Sequence, residues 1–282
     1  MPKTYFLFAI LILHSCSNHG QLTYLNKLPK QLQENSGIVS YLDSTAWLVE
    51  DRGNSDDIYK INFNGEILQE LEVKNAKNND WEDLTKDANG NLYIGDFGNN
   101  ENRRKDLTIY KLPNPETEPG DKIDAEKIKF SYPEQKDFPP SKSERVYDAE
   151  AFFHGNNHLY IFTKNRADPF TGETLIYKVP DKKGTYEAVF LGKLNTCTDW
   201  DTCKVTSADI SKDGKTIVLL GYGKLWILTD FTLDDFTKST LREIDLGLRT
   251  QLESVCFIDE KTLLMSDEET GNEGRNLYSF EL

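Results

Sequence analysis

The sequence predicts an all-β fold, a five-bladed β-propeller, with six blades as the alternative count. Three observations predict it. Five segments open alike, a small or acidic pair followed by an apolar residue: Ser36-Gly37-Ile38, Glu82-Asp83-Leu84, Glu150-Ala151-Phe152, Ala208-Asp209-Ile210 and Glu253-Ser254-Val255. After each opening come a polar turn and further strand-like runs, while no long segment keeps helical apolar spacing. Finally, the fifth repeat has no fourth strand before Leu282, and residues 21–28 (QLTYLNKL) form a strand-like run with no repeat of their own. Together these two ends complete one four-stranded blade, as radial closure requires.

The chain begins with an export signal. Lys3 precedes an apolar run over residues 5–13, about half of the ~20 residues that would span a bilayer as a helix. Leu13-His14-Ser15-Cys16 resembles a bacterial lipobox, which makes residues 1–15 a lipoprotein signal peptide and Cys16 the lipidated first mature residue. An ordinary signal peptide cut nearby is the plainer alternative. Residues 16–20 are then a tether, and residues 21–282 the propeller domain. No acidic run follows Cys16, so the expected address is the outer membrane, facing the periplasm.

Within the repeats, the first turns are Asp43-Ser44, Asn89-Gly90, Gly155-Asn156-Asn157, Asp213-Gly214 and Asp259-Glu260, residue types suited to tight reversals. Second strands read AWLVED, NLYIGD, HLYIFTK, TIVLLGY and TLLMSDE; third strands read DIYKINF, TIYKLP, LIYKVP, LWILTDF and NLYSFEL. Fourth strands read ILQELEV, KIKFSYP, AVFLGKL and TLREIDL. The openings are unevenly spaced, and the excess lies in residues 113–145 and 181–205, rich in proline, charge or turn formers. Those stretches are expected to be surface excursions rather than further blades.

The composition narrows the function. With 33 Lys+Arg against 47 Asp+Glu, the formal net charge of −14 leaves no basic surplus for a phosphate backbone, so no nucleic-acid partner is expected. Such a balance favours solubility and cations. Charged residues at 28% and aromatics at 11% describe a chain able to bury a core. Outside the tether and signal, histidine occurs only as His154 and His158, and no Gly-x-Ser-x-Gly elbow or Gly-rich phosphate loop is present, which disfavours conventional hydrolase and nucleotide chemistry. In an oxidising compartment, Cys197 and Cys203 are expected to form a local disulfide, and Cys256, in the strand-like LESVCF, to be a buried free thiol.

A propeller places the start of every first strand at one mouth of the central axis. The ring of candidate metal ligands there is Glu82, Glu150, Asp209 and Glu253, joined by Asp83 and Asp148, with Asn35, Ser36 and Ser207 as neutral oxygens. So many carboxylates in a narrow funnel repel one another unless protonated or bridged by a cation. Ca²⁺, which accepts six to eight oxygens in flexible geometry, is the expected cofactor. The plainer alternative is hydrogen bonding of these acids to strand-end amides. A second group lies where second strands turn into third strands, in EDRG, DFGN, KNR, GYGK and DEE. It supplies Arg52, Asp96, Lys164, Arg166 and Asp267, which with Asp83 and Asp148 of the axial ring are the candidate ligand-binding residues for an anionic molecule, with ordinary surface ion pairs as the alternative.

The openings NSGIV, DWEDLT, YDAEAF, TSADIS and LESVCF, with LYIGDFGNN, resemble the SdiA-regulated and phytase-like propeller families. The resemblance implies a secreted or lipid-anchored propeller with an acidic axial mouth able to hold Ca²⁺, and points to Glu82, Glu150, Asp209 and Glu253 as the axial acids. Blade one departs from it, with Ser36-Gly37 where others offer acids. No reaction follows from fold alone. The leading expectation is a lipid-anchored binding or scaffold module of the bacterial cell envelope, its partner an anionic small molecule or an envelope protein. The alternative is a Ca²⁺-dependent hydrolase of phosphate esters or lactones.

Overall fold

The structure, a computed structural model, describes residues 18–42 and 44–282. The signal peptide, Cys16 and Asp43 of the first expected turn lie outside the described residues. Among those described, no helix is long and apolar enough to cross a membrane.

Five sheets form in sequence order around one axis. Blade one comprises β2 (Asn35–Leu42), β3 (Thr45–Glu50), β4 (Asp57–Asn62) and β5 (Ile67–Lys74). Blade two is built of β6 (Trp81–Lys86), β7 (Leu92–Asp96), β8 (Thr108–Leu112) and β10 (Glu126–Ser131). Blade three contains β11 (Asp148–Gly155), β12 (His158–Lys164), β13 (Glu173–Pro180) and β15 (Val189–Asn195). In blade four lie β16 (Ser207–Ile210), β17 (Ile217–Gly221), β18 (Lys224–Thr229) and β19 (Thr240–Asp245). Blade five joins β20 (Leu252–Phe257), β21 (Thr262–Asp267) and β22 (Asn276–Glu281) to β1 (Thr23–Lys27). Thr23 pairs with Ser279 and Lys27 with Asn276, so the N-terminal strand closes the last blade as the repeat arithmetic requires. Each inner strand packs against the inner strands of both neighbouring blades, completing the ring at five.

The excursions do more than cover the surface. Residues 113–145 contribute β9 (Lys122–Asp124), which runs parallel to β5 and adds a fifth strand to blade one. Residues 181–205 contribute β14 (Gly184–Glu187), parallel to β10 on the edge of blade two, as well as β15. In both cases chain from one blade pairs with the outer edge of the blade before it.

The core is divided among the blade interfaces, because these strands are buried on both faces and successive residues point to opposite neighbours. Phe152 packs with Phe97 between blades two and three, and the next residue, Phe153, packs with Trp226 between blades three and four. Trp47 and Trp81 meet between blades one and two, Leu220 and Met265 between four and five, and Leu48 and Leu264 between five and one. Side chains of this kind each contribute about 1.5–3 kcal/mol on burial. Cys256 is a buried free thiol, as expected, and burial raises its pKa.

Candidate functional site

The first strands begin at one mouth of the axis with a repeated irregularity. In β2, β6, β11 and β20 the ladder slips at Ser36, Glu82, Glu150 and Glu253, so one extra residue bulges from each strand. Such bulges re-aim side chains, and here three of the four are glutamates. Blade one presents Ser36, whose hydroxyl donates to Trp81 O at 2.9 Å. Gly37 follows it because a Cβ there would sit 2.8 Å from Asp83 Cα. The small pair of blade one is thus the consequence of close approach by β6.

Blade four has no bulge, and its β16 pairs regularly from Ser207 to Ile210. Ser207 occupies the axial position, which puts Asp209 two residues farther along the strand. Its carboxylate accepts from Phe257 N at 2.8 Å, at the end of β20 remote from Glu253. The structure therefore does not bring Asp209 to the mouth with Glu82, Glu150 and Glu253. Asp83 sits deeper as well: Oδ1 accepts from Leu84 N and Ser207 Oγ, Oδ2 from Phe152 N and Ala208 N, at 2.9–3.3 Å. Burial raises its pKa well above the usual range, against the pull of those donors.

At the mouth the charges separate into two halves. On one side, Lys164 Nζ lies 2.9 Å from Glu150 and 3.9 Å from Glu253, while Arg166 lies 2.6 Å from Asp148 and 3.0 Å from Glu150. Burial acts to raise the pKa of Glu150, but Lys164 and Arg166 outweigh it and hold the carboxyl down at about 2. Asp148 also accepts from Asn99 N at 2.6 Å, and Glu253 from the Tyr222 hydroxyl. Lys164 and Arg166 offset these three acids only in part, because burial still raises Asp148 and Glu253 to about 7.

The other side is different. Asp51, from the turn after β3, Asp80, just ahead of β6, and Glu82 offer oxygens that all lie within 4.8 Å of one another. Asp80 is 4% exposed, and its Oδ1 is buried without a hydrogen-bond partner, the nearest cation being Arg52 Nε at 3.8 Å. Burial, opposed in part by Arg52 and reinforced by Asp148 and Glu150, raises the pKa of Asp80 to about 6. Asp51 rises to about 7, again chiefly through burial, and Glu82 rises well above its ordinary value through burial and Glu150. Glu268, from the turn after β21, is pushed up to about 9 by burial, Glu253 and Asp51.

Gly98 makes this cradle possible. A Cβ there would lie 2.0 Å from Glu82 Oε1 and 2.6 Å from Asp80 Cγ. Next to it, Asn99 has a buried side-chain amide nitrogen with no partner. Three clustered carboxylates, an orphaned oxygen and the missing side chain at Gly98 fit a hard divalent cation such as Ca²⁺.

Other sequence candidates frame the blades. Asp96 accepts from Asp80 N, Asn79, Arg104 and Tyr110 OH, and Asp267 from Thr250, Asn276 and Tyr278 OH. Each ties the end of a second strand to a tyrosine of the third. Arg52 is largely exposed beside Asp80. The sequence reading passed over Asp51, although it stands in the quoted EDRG turn, and Asp80, whose only signal is its place one residue before Trp81.

A second titratable group lies at the far ends of β6 and β11, where Asp87, His154 and Asp181 approach within 4.8 Å. Its hydrogen bonds are satisfied internally: His154 Nε2 is 3.0 Å from Asp181, and Tyr93 OH donates to Asp87 at 3.1 Å. The cysteines at 197 and 203 form the expected disulfide, with Cα atoms 5.3 Å apart.

No protein-family model and no curated protein sequence matches the chain. Solved structures with a similar chain path include a virginiamycin B lyase from Staphylococcus aureus, with TM-score 0.43 and 15% identity over 90% of this chain and 69% of that one. Hydrazine synthase of Kuenenia stuttgartiensis has TM-score 0.42 and 13% identity over 85% of this chain and 57% of that one. A functionally unknown protein from Desulfotomaculum acetoxidans has TM-score 0.41 and 15% identity over 88% and 68% respectively. At this level of likeness none of them assigns a chemistry to this chain.

Proposed function

We propose that this protein is a binding module of the bacterial cell envelope, anchored through Cys16 to the outer membrane on its periplasmic side, whose axial mouth holds Ca²⁺. The observation that carries the reading is the cluster of half-buried Asp51 with buried Asp80 and Glu82, in which an Asp80 oxygen has no hydrogen-bond donor. Like charges so close together in a poorly solvated pocket cost several kcal/mol unless protonated or bridged, and a cation bridges them at neutral pH. Glu150 and Glu253 support the cluster from the side that holds Lys164 and Arg166, and Asp209 takes no part. The partner is an anionic small molecule drawn to the cation and to the basic residues beside it.

Isothermal titration of chelator-treated protein with Ca²⁺ tests the proposal. Saturable binding that disappears in Asp80→Asn supports it; no heat and no thermal stabilisation by Ca²⁺ would end it. The electrostatic interaction of Arg166 with Glu82 favours a second reading, Ca²⁺-dependent hydrolysis of phosphate esters or lactones. Turnover lost on chelation and in Glu82→Gln would select that reading over binding alone.

A further inference from the structure

Lys204 differs from the other cations near the mouth. Lys164, Arg166 and Arg52 each have a carboxylate within ion-pair distance. Lys204 has neither an ion pair nor a side-chain hydrogen bond among the described residues, and its ammonium rests 3.4 Å from the Trp200 ring centroid. The residue is 8% exposed. Burial and the positive charges of Arg166 and Lys164 lower its pKa to about 8, opposed by Asp201 in its own loop and Glu150 on β11. Unlike its neighbours, this ammonium has no carboxylate at ion-pair distance among the described residues, and an aromatic face is its contact.

Its setting is built. Lys204 directly follows Cys203, whose disulfide to Cys197 closes the CTDWDTC loop. Trp200, at the centre of that loop, is braced edge-on by Phe170 at 5.5 Å and remains 44% exposed. A covalently fixed loop thus offers an apolar rim directly above an uncommitted cation.

We propose that Lys204 is the oxyanion-binding group of the mouth, taking a carboxylate or phosphate of a small ligand whose carbon skeleton lies against the Trp200 rim. The proposal rests on the mouth being a ligand site, and does not require the cation at Asp51, Asp80 and Glu82. An oxyanion here would meet the Lys204 ammonium with Arg166 close by, the charge-assisted pairing that phosphate and carboxylate groups favour.

The test uses the full propeller domain in chelator. The rate at which acetic anhydride acylates the Lys204 amine is followed by peptide mass spectrometry, with the exposed Lys215 as internal reference. Inorganic phosphate and D-glucuronate are the two probes. Several-fold protection of Lys204 relative to Lys215 by either probe supports the proposal; protection by phosphate alone identifies a phosphate ligand, and by glucuronate alone a carboxylate on a ring. In parallel, the probe that protects should raise the Tm of the wild type and of Lys204→Arg, and not that of Lys204→Met. Unchanged acylation with both probes, or an equal thermal response in Lys204→Met, overturns it. A Ca²⁺ response that persists while this fails would leave the cation reading standing, and the converse result would leave only the anion site.

Discussion

Ser207 Oγ lies 3.1 Å from Asp83 Oδ1, a hydrogen bond that joins the inner strands of blades two and four across 124 positions of sequence. Ser207 also accepts from Val255 N at 3.0 Å, so one hydroxyl links blade two to blade four and blade four to blade five. Leaving a buried donor unmet costs about 1–3 kcal/mol. Ser207→Ala is expected to lower unfolding stability by that amount in urea titration. Because the same bond is lost in either single variant, Ser207→Ala and Asp83→Ala should couple by about 0.5–3 kcal/mol in a double-mutant cycle. Strict additivity would show that the two residues do not act through each other.

Buried acids on both sides of the mouth make stability depend on pH. Burial raises Asp80 to about 6 and Asp51 and Glu253 to about 7 in the folded protein. Unfolded carboxyls titrate near about 4, so the folded state holds protons that the unfolded state has released. The contribution is complete below about pH 4 and is lost as pH rises through the folded values. Metal-free protein should therefore melt at a lower temperature at about pH 8 than at about pH 5, and Ca²⁺ should restore more of the Tm at the higher pH. Calorimetry in chelator and in excess Ca²⁺ checks both slopes.

Neutralising one acid separates repulsion from metal binding. Glu82→Gln keeps the shape of the side chain and removes a charge from the cradle against Gly98. Metal-free Glu82→Gln is expected to be more stable than the wild type at neutral pH, since burial and Glu150 disfavour a charged carboxylate at this position. The same variant should lose the Ca²⁺ response. Stabilisation with an intact Ca²⁺ response would place the cation on other ligands.

Lys164 is the counter-charge of the opposite half, in contact with Glu150 and near Glu253. Removing one member of a buried ion pair typically costs about 3–5 kcal/mol because the partner charge is stranded. Lys164→Met should show a loss of that size by urea unfolding at neutral pH. Adding Glu150→Gln should recover part of it, and no recovery would mean that Lys164 acts through packing alone.

The fold was legible because strand spacing, turn residues and the unmatched run at residues 21–28 all point to the same closed ring. The site was legible only in part. Glu82, Glu150 and Glu253 stand at bulges, which periodicity does not reveal, yet the shared acid-small pattern marked them. Asp209 was misplaced for a physical reason: side chains alternate with a period of two, so a two-residue slip along β16 keeps the same face and breaks no pattern. The equivalent position belongs to Ser207, which carries no acid to draw attention. Asp51 and Asp80 come from the segments flanking strands, and their approach to Glu82 depends on Gly98 packing, a three-dimensional fact without a local signature.

The parallel strands β9 and β14 change what the long inserts mean for handling and evolution of this chain. Each one shields an outer rim whose free amides and carbonyls would otherwise be open to pairing with a neighbouring molecule. Trimming residues 114–125 as though they were a dispensable loop would bare the margin of β5. The expected penalty is self-association of otherwise folded molecules, which makes solubility, rather than fold, the property these inserts guard.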